Sequence, residues 1–149
     1  MIQMNLAMRE LFARAGAAGV PDCDDSSPLQ FTERDGCVFL SEALTRSAET
    51  LADFADRTAC EAVLNQAHLP YDGGDPSLVR ALAYVDRLCY GLLSVAKGRR
   101  FQVIAAFSDA ECDVSFHQLR PGETWLDDDL ESYRDEAVLV LSVGRLPEA

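Results

Sequence analysis

The stretch from Asp75 to Lys97 leaves a chain like this the least freedom. Asp75 offers an N-cap, and Pro76 stands at the first helical position, where its missing N–H costs nothing. Behind them Leu78, Leu82, Val85, Cys89 and Leu92 recur at i, i+4, i+7, i+11 and i+14, the spacing of one helical face. Val79, Tyr84, Leu88 and Leu93 widen that face. The spacing predicts a helix over 76–97 that is central to the core. Lys97, Arg99 and Arg100 follow at its C-terminal end. They suit the negative end of the helix dipole, a simpler reading than an anion site.

Such a helix needs an apolar sheet to cover, and the strand signals come mostly after it. Phe101 to Phe107 is nearly all apolar, as a buried central strand is. Glu111 to Gln118 alternates, with Cys112, Val114 and Phe116 on one face and Glu111, Asp113, Ser115 and His117 on an exposed one. The turn Ser108-Asp109-Ala110 makes these two an antiparallel pair. Ala137 to Val143 is a last buried strand, closed by Gly144 and Pro147.

Before the central helix, Leu29–Glu33 and Cys37–Leu40 flank Arg34-Asp35-Gly36 as a hairpin. Residues 2–15 read as a helix, with Met4, Met8, Leu11 and Ala15 on one face. Ser41 caps a further helical stretch to about Ala55, on which Leu44, Ala48, Leu51 and Ala55 share a face. Thr58-Ala59-Cys60-Glu61 matches a capping box and starts another helix that ends before Pro70. The strands do not alternate regularly with helices, so the expectation is an α+β fold. Helices pack on one mainly antiparallel sheet whose centre includes 101–107 and 137–143. The 149 residues suffice for one domain.

The net charge of −12 narrows the partners. Residues 1–70 carry 11 acids against 5 Lys/Arg, residues 71–100 carry 3 against 5, and residues 101–149 carry 11 against 3. Such a field speeds encounter with basic partners and repels nucleic acid and anionic membranes. Solubility alone is the plainer account of it. Cys23, Cys37, Cys60, Cys89 and Cys112 are odd in number and contain no CxxC pair, which argues against disulfides and zinc and for a reducing cytoplasm. The N-terminal residues carry no basic leader, and no run of 18 apolar residues exists to span a membrane.

Catalytic signals are sparse. No GxSxG, HExxH, Walker A or GxGxxG pattern occurs. Asp22, Asp24 and Asp25 look superficially like a calcium loop but lack its glycine and distal glutamate. His68 follows a helix and reads as a surface or capping residue. His117 stands roughly 13 and 20 Å along a strand from Asp113 and Glu111, too far for a dyad. Cys112 lies between Glu111 and Asp113, the reverse of what activates a thiol. No enzyme activity, cofactor or metal site is expected.

The stretch Thr124 to Tyr133 carries the functional signal. Thr124 reads as an N-cap of a short helix running towards Arg134, with Leu126, Leu130 and Tyr133 facing the core and Asp128, Glu131 and Asp135 forming a stripe. Asp127 and Asp128 suit a first helical turn, at roughly 0.3–1 kcal/mol each. Glu131 is i+4 from Asp127 and repels it. A cluster unfavourable in isolation becomes favourable when a cationic partner arrives. Trp125 and Tyr133 either pack into the core or stand as binding anchors among acids that select a basic partner. Glu111, Asp113, Trp125, Asp127, Asp128, Asp129, Glu131 and Tyr133 are therefore the expected partner-binding residues.

The acid clusters Asp22/Asp24/Asp25, Glu111/Asp113 and Asp127–Glu131, with Trp125 and Tyr133, in a small motif-free chain, resemble the bacterial immunity proteins that neutralise toxins, including those of contact-dependent inhibition systems. The likeness is one of general character over the whole chain and transfers no residue roles. It implies a cytoplasmic inhibitor of a basic toxin domain, a nuclease such as a tRNase or DNase, whose cleft is covered by carboxylates. It implies no direct contact with nucleic acid or membrane. A secretion chaperone or adaptor is the alternative, and it would dimerise and expose apolar surface.

Overall fold

The computed structural model describes residues 1–15 and 28–144, so the Asp22–Asp25 cluster lies outside the described residues. The elements are β1 (Ile2–Met4), α1 (Leu6–Ala15), β2 (Phe31–Arg34), β3 (Cys37–Leu40), α2 (Ser41–Arg46), α3 (Arg57–Leu64), β4 (Ala67–Pro70), α4 (Asp75–Val95), β5 (Phe101–Phe107), β6 (Glu111–Gln118) and β7 (Ala137–Val143). One sheet runs β1-β7-β5-β6-β4, and every pairing in it is antiparallel. β2 and β3 form a separate hairpin. The expected α+β fold is observed, with β5 at the centre of the sheet and β7 beside it.

α4 covers one face of the sheet. Its buried residues Leu78, Ala81, Val85, Leu88 and Leu92 meet Phe101, Val103, Ala105 and Phe107 of β5 and Cys112, Val114 and Phe116 of β6 in the main core, joined by Met8 and Leu11 of α1. The buried stripe is rotated from the one expected. Leu88 is fully buried, while Leu82 and Cys89 only border the core and Leu93 is 56% exposed. The helix begins one residue early, and its N-cap is Gly74, not Asp75. Asp72 holds that start, accepting from the Gly74 N–H at 2.8 Å and the Ser77 hydroxyl at 2.8 Å. At the other end Arg99 caps the Val95 and Ala96 carbonyls and pairs with Glu33, in keeping with the dipole reading.

The opposite face is covered by α3 and by residues 119–136. Ile104, Val138 and Val140 form a small cluster there with Leu126, Leu130 and Tyr133. α3 lies over β6, where the Ser115 hydroxyl reaches the Ala62 carbonyl.

The hairpin turns on Asp35 (φ +56°) and Gly36 (φ +78°), a left-handed pair that matches the twist of the strands. No backbone ladder joins it to the main sheet. Side chains of α3 do so instead. Glu61, fully buried, accepts from Val38 N at 2.8 Å, Gln118 N at 2.9 Å, Gln118 Nε2 at 2.8 Å and Arg120 Nη1 at 2.5 Å. One turn later Asn65 accepts from Leu40 N and donates to the Val38 and Phe116 carbonyls. The i, i+4 pair stands where a strand's backbone would, giving β3 and β6 the partners their exposed ladders lack.

Four expected helices need correction. Residues 2–15 open with β1, and α1 starts only at Leu6. Asn5 caps it: its Oδ1 accepts from Met8 N and Val138 N, and its Nδ2 donates to the Glu136 carbonyl. The helix from Ser41 stops at Arg46, with no side-chain cap, and a single 3-10 turn at Leu51–Asp53 replaces its second half. Asp56, not Thr58, caps α3 by accepting from Ala59 N at 2.8 Å, because the Thr58 hydroxyl takes Arg120 and Glu61 turns inward. Residues 67–70 form the edge strand β4. The fourth correction falls on the candidate site.

Candidate functional site

Residues 124–135 are not a helix. The one regular element between β6 and β7 is a 3-10 turn at Leu130–Ser132. Two short backbone returns shape the rest: Asp127 accepts from Asp129 N at 3.0 Å, and Asp129 accepts from Glu131 N at 3.1 Å. Aspartates favour this local bonding over helix, and three in succession make the competition effective. Leu126, Leu130 and Tyr133 still reach the sheet as expected, but as anchors of an irregular segment. The Tyr133 hydroxyl accepts from Asp127 N at 2.9 Å, fixing the loop across six residues.

The acids separate into three roles. Glu131 accepts from Leu6 N at 2.6 Å, so it serves the positive end of α1 and is committed to the fold. Asp127 and Asp129 face outward while holding the turns. Among the described residues Asp128, which is exposed, has no intramolecular bond, and none of Asp127, Asp128 and Asp129 has a cationic partner. Trp125 is 44% exposed beside them. It belongs neither to the core nor fully to solvent.

Under this rim lies a groove of about 390 Å³, bordered by Trp125, Asp127 and Asp128 and floored by Gln102 and His117. His117 is 2% exposed, and Ser115 on the same face is 9% exposed. The expectation of an exposed polar face along β6 is therefore corrected: α3 and the acidic segment cover its C-terminal half. His117 Nδ1 lies 2.9 Å from the Gln118 carbonyl oxygen and Nε2 lies 3.0 Å from Gln102 Oε1, so whichever nitrogen carries the proton donates to one of them. Burial lowers its pKa from the ordinary value of 6.5. Both nitrogens are engaged, so the ring positions β6 against β5 and is not poised as a base. Burial likewise pushes the Cys112 thiol up to about 12, with Asp113 adding to the rise, which disfavours the thiolate.

Glu111 and Asp113 stay on the accessible end of β6, but they do not join the acidic rim. Asp113 is directly opposite His68 across the β4–β6 ladder. His68 Nδ1 contacts Asp113 Oδ1 and lies 3.7 Å from Glu111 Oε2. The sequence pointed to His68 as a surface or capping residue after a helix ending before Pro70, so the β4–β6 pairing that forms this group was missed. The alternation Ala67-His68-Leu69-Pro70 was the available signal, and it is four residues long.

A sequence profile of the Uncharacterized protein PM0498 family matches residues 3–146. The chain belongs to that family. The match takes in all of the described elements except the first residue of β1, including the acidic segment and the His68 edge. No match is found among curated proteins or among solved structures. Among the described residues, no helix is long and apolar enough to cross a membrane.

Proposed function

We propose that this chain is a cytoplasmic binding protein that neutralises a basic protein toxin, a nuclease of the kind opposed by immunity proteins, without catalysis of its own. The observation that carries the reading is the half-exposed Trp125 set among Asp127, Asp128 and Asp129, acids with no cation to balance them among the described residues. An aromatic anchor ringed by unpaired carboxylates suits a lysine- or arginine-rich surface, and the net charge of −12 steers such a partner in. The interface centres on Trp125 and Asp127–Asp129, with Tyr133 as the support beneath. Glu131 contributes through α1, and Glu111 and Asp113 lie at the far edge.

Asp128→Lys is the clean test, because Asp128, alone of the three rim aspartates, makes no intramolecular hydrogen bond among the described residues. The measurement is surface binding to the product of the adjacent open reading frame, at low and physiological ionic strength. Asp128→Lys should slow association about tenfold at low salt and flatten its salt dependence, since the steering term is screened over about 8–10 Å. Trp125→Ala should speed dissociation. Association unchanged in Asp128→Lys would remove this segment as the interface, and no binding at all would remove the immunity reading. Dimerisation with strong dye binding to apolar surface would favour the chaperone alternative.

A further inference from the structure

We infer that His68, Glu111 and Asp113 form a binding site for a divalent transition-metal cation of the zinc class, at the edge of the main sheet. This goes beyond the partner reading and does not depend on it. Among the described residues these three form the one group whose ligand atoms all lie within 4.8 Å of one another. They come from two strands in fixed register: His68 faces Asp113, and Pro70 faces Glu111. All three side chains therefore project from the same sheet face, with Glu111 and Asp113 two residues apart along β6.

The spacing fits a small cation. With metal–nitrogen and metal–oxygen bonds of about 2.0–2.2 Å at a tetrahedral angle, neighbouring donor atoms sit about 3.4 Å apart. His68 Nδ1 and Glu111 Oε2 are 3.7 Å apart. Asp113 Oδ1 contacts Nδ1 directly, and a rotation of its carboxylate admits an ion between them. A surface imidazole–carboxylate pair accounts for one of the two acids. It does not account for the second converging on the same nitrogen. Pro70, opposite Glu111, offers no charge, and among the described residues no Lys or Arg pairs with either carboxylate.

The donor set selects the metal. One imidazole with two carboxylates suits zinc and its first-row neighbours, whereas calcium and magnesium take six or more oxygens. The His68, Glu111 and Asp113 side chains are 62%, 51% and 29% exposed, so the remaining coordination position faces water. A bound ion would tie the edge strand β4 to β6 and cancel the charge of both acids.

The experiment is calorimetric titration of zinc chloride into protein first dialysed against a chelator, with His68→Ala and Asp113→Asn alongside. One ion per chain at micromolar affinity is expected, weakened at least about tenfold in either variant, with magnesium chloride giving no competing heat. The His68 imidazole proton resonances should shift on zinc addition, and the wild type alone should gain thermal stability with the metal. Zinc binding undiminished in His68→Ala overturns the inference. So does the absence of binding at 100-fold excess over the protein. Circular dichroism identical to wild type keeps the variants interpretable.

Discussion

Replacing Glu61 tests whether the hairpin is held to the sheet by side chains. The carboxylate is fully buried and receives four donors: Val38 N, Gln118 N, Gln118 Nε2 and Arg120 Nη1. Glu61→Ala leaves two backbone N–H groups without an acceptor and removes the carboxylate that balances the Arg120 guanidinium, whose side chain is only 15% exposed. Breaking a buried ion pair from one side costs about 3–5 kcal/mol, and each orphaned donor about 1–3 kcal/mol before relaxation. A total of about 3–5 kcal/mol is expected, since water can enter the space left near the exposed end of Arg120. For a chain of this size that is a fall in melting temperature of about 6–20 °C. Glu61→Gln should fare little better. All four partners are donors, so the new NH2 group must face two of them whichever way it turns. Thermal and urea unfolding of wild type, Glu61→Ala, Glu61→Gln and the exposed control Glu42→Ala give the comparison. A loss below about 1 kcal/mol in Glu61→Ala, or a glutamine variant as stable as wild type, would refute the argument.

Two further outcomes are expected. Because burial lowers the pKa of His117 below 6.5, the unfolded chain takes up a proton that the folded one refuses. Stability from this group is therefore complete above pH 6.5, falls as pH drops below it, and levels off beneath the folded pKa; the slope is at most about 1.4 kcal/mol per pH unit. His117→Gln should flatten that part of the wild-type curve, as read from urea midpoints at pH 7, 6 and 5, and an unchanged slope would mean the ring is not buried. Along α4, Leu88→Ala should cost about 2–5 kcal/mol and Leu93→Ala less than about 0.5 kcal/mol, with half-buried Leu82→Ala between them; equal losses at 88 and 93 in urea titrations would contradict the stripe described.

The large elements were legible because their signals are long. α4, β5, β6 and β7 each carry a sustained apolar period, and the Asp35-Gly36 turn has a backbone requirement that few residues meet. The errors fell where residues have competing uses. Thr58 and Glu61 form a capping box on paper, but a buried network with Arg120 claims both. Asp127 and Asp128 suit a first helical turn, yet Asp127 and Asp129 accept from nearby backbone N–H groups instead. Glu131 was puzzling as a helical neighbour of Asp127, and its partner proved to be α1, 125 residues away in sequence. His68 could meet Glu111 and Asp113 only through a pairing between distant strands, and strand order has no local signature.

The insertion of β7 between β1 and β5 also bears on how the protein is made. Ala137–Val143 is the last of the described strands to leave the ribosome, yet it fills an interior slot. Until it arrives, α4, β5, β6 and β4 can assemble, but β1 has nothing to pair with. The outer edge of Phe101–Phe107 then stands open. That strand is apolar along most of its length, and an unpaired apolar edge is a template for other chains. The nascent protein thus passes through a stage in which its most central strand is its most adhesive surface.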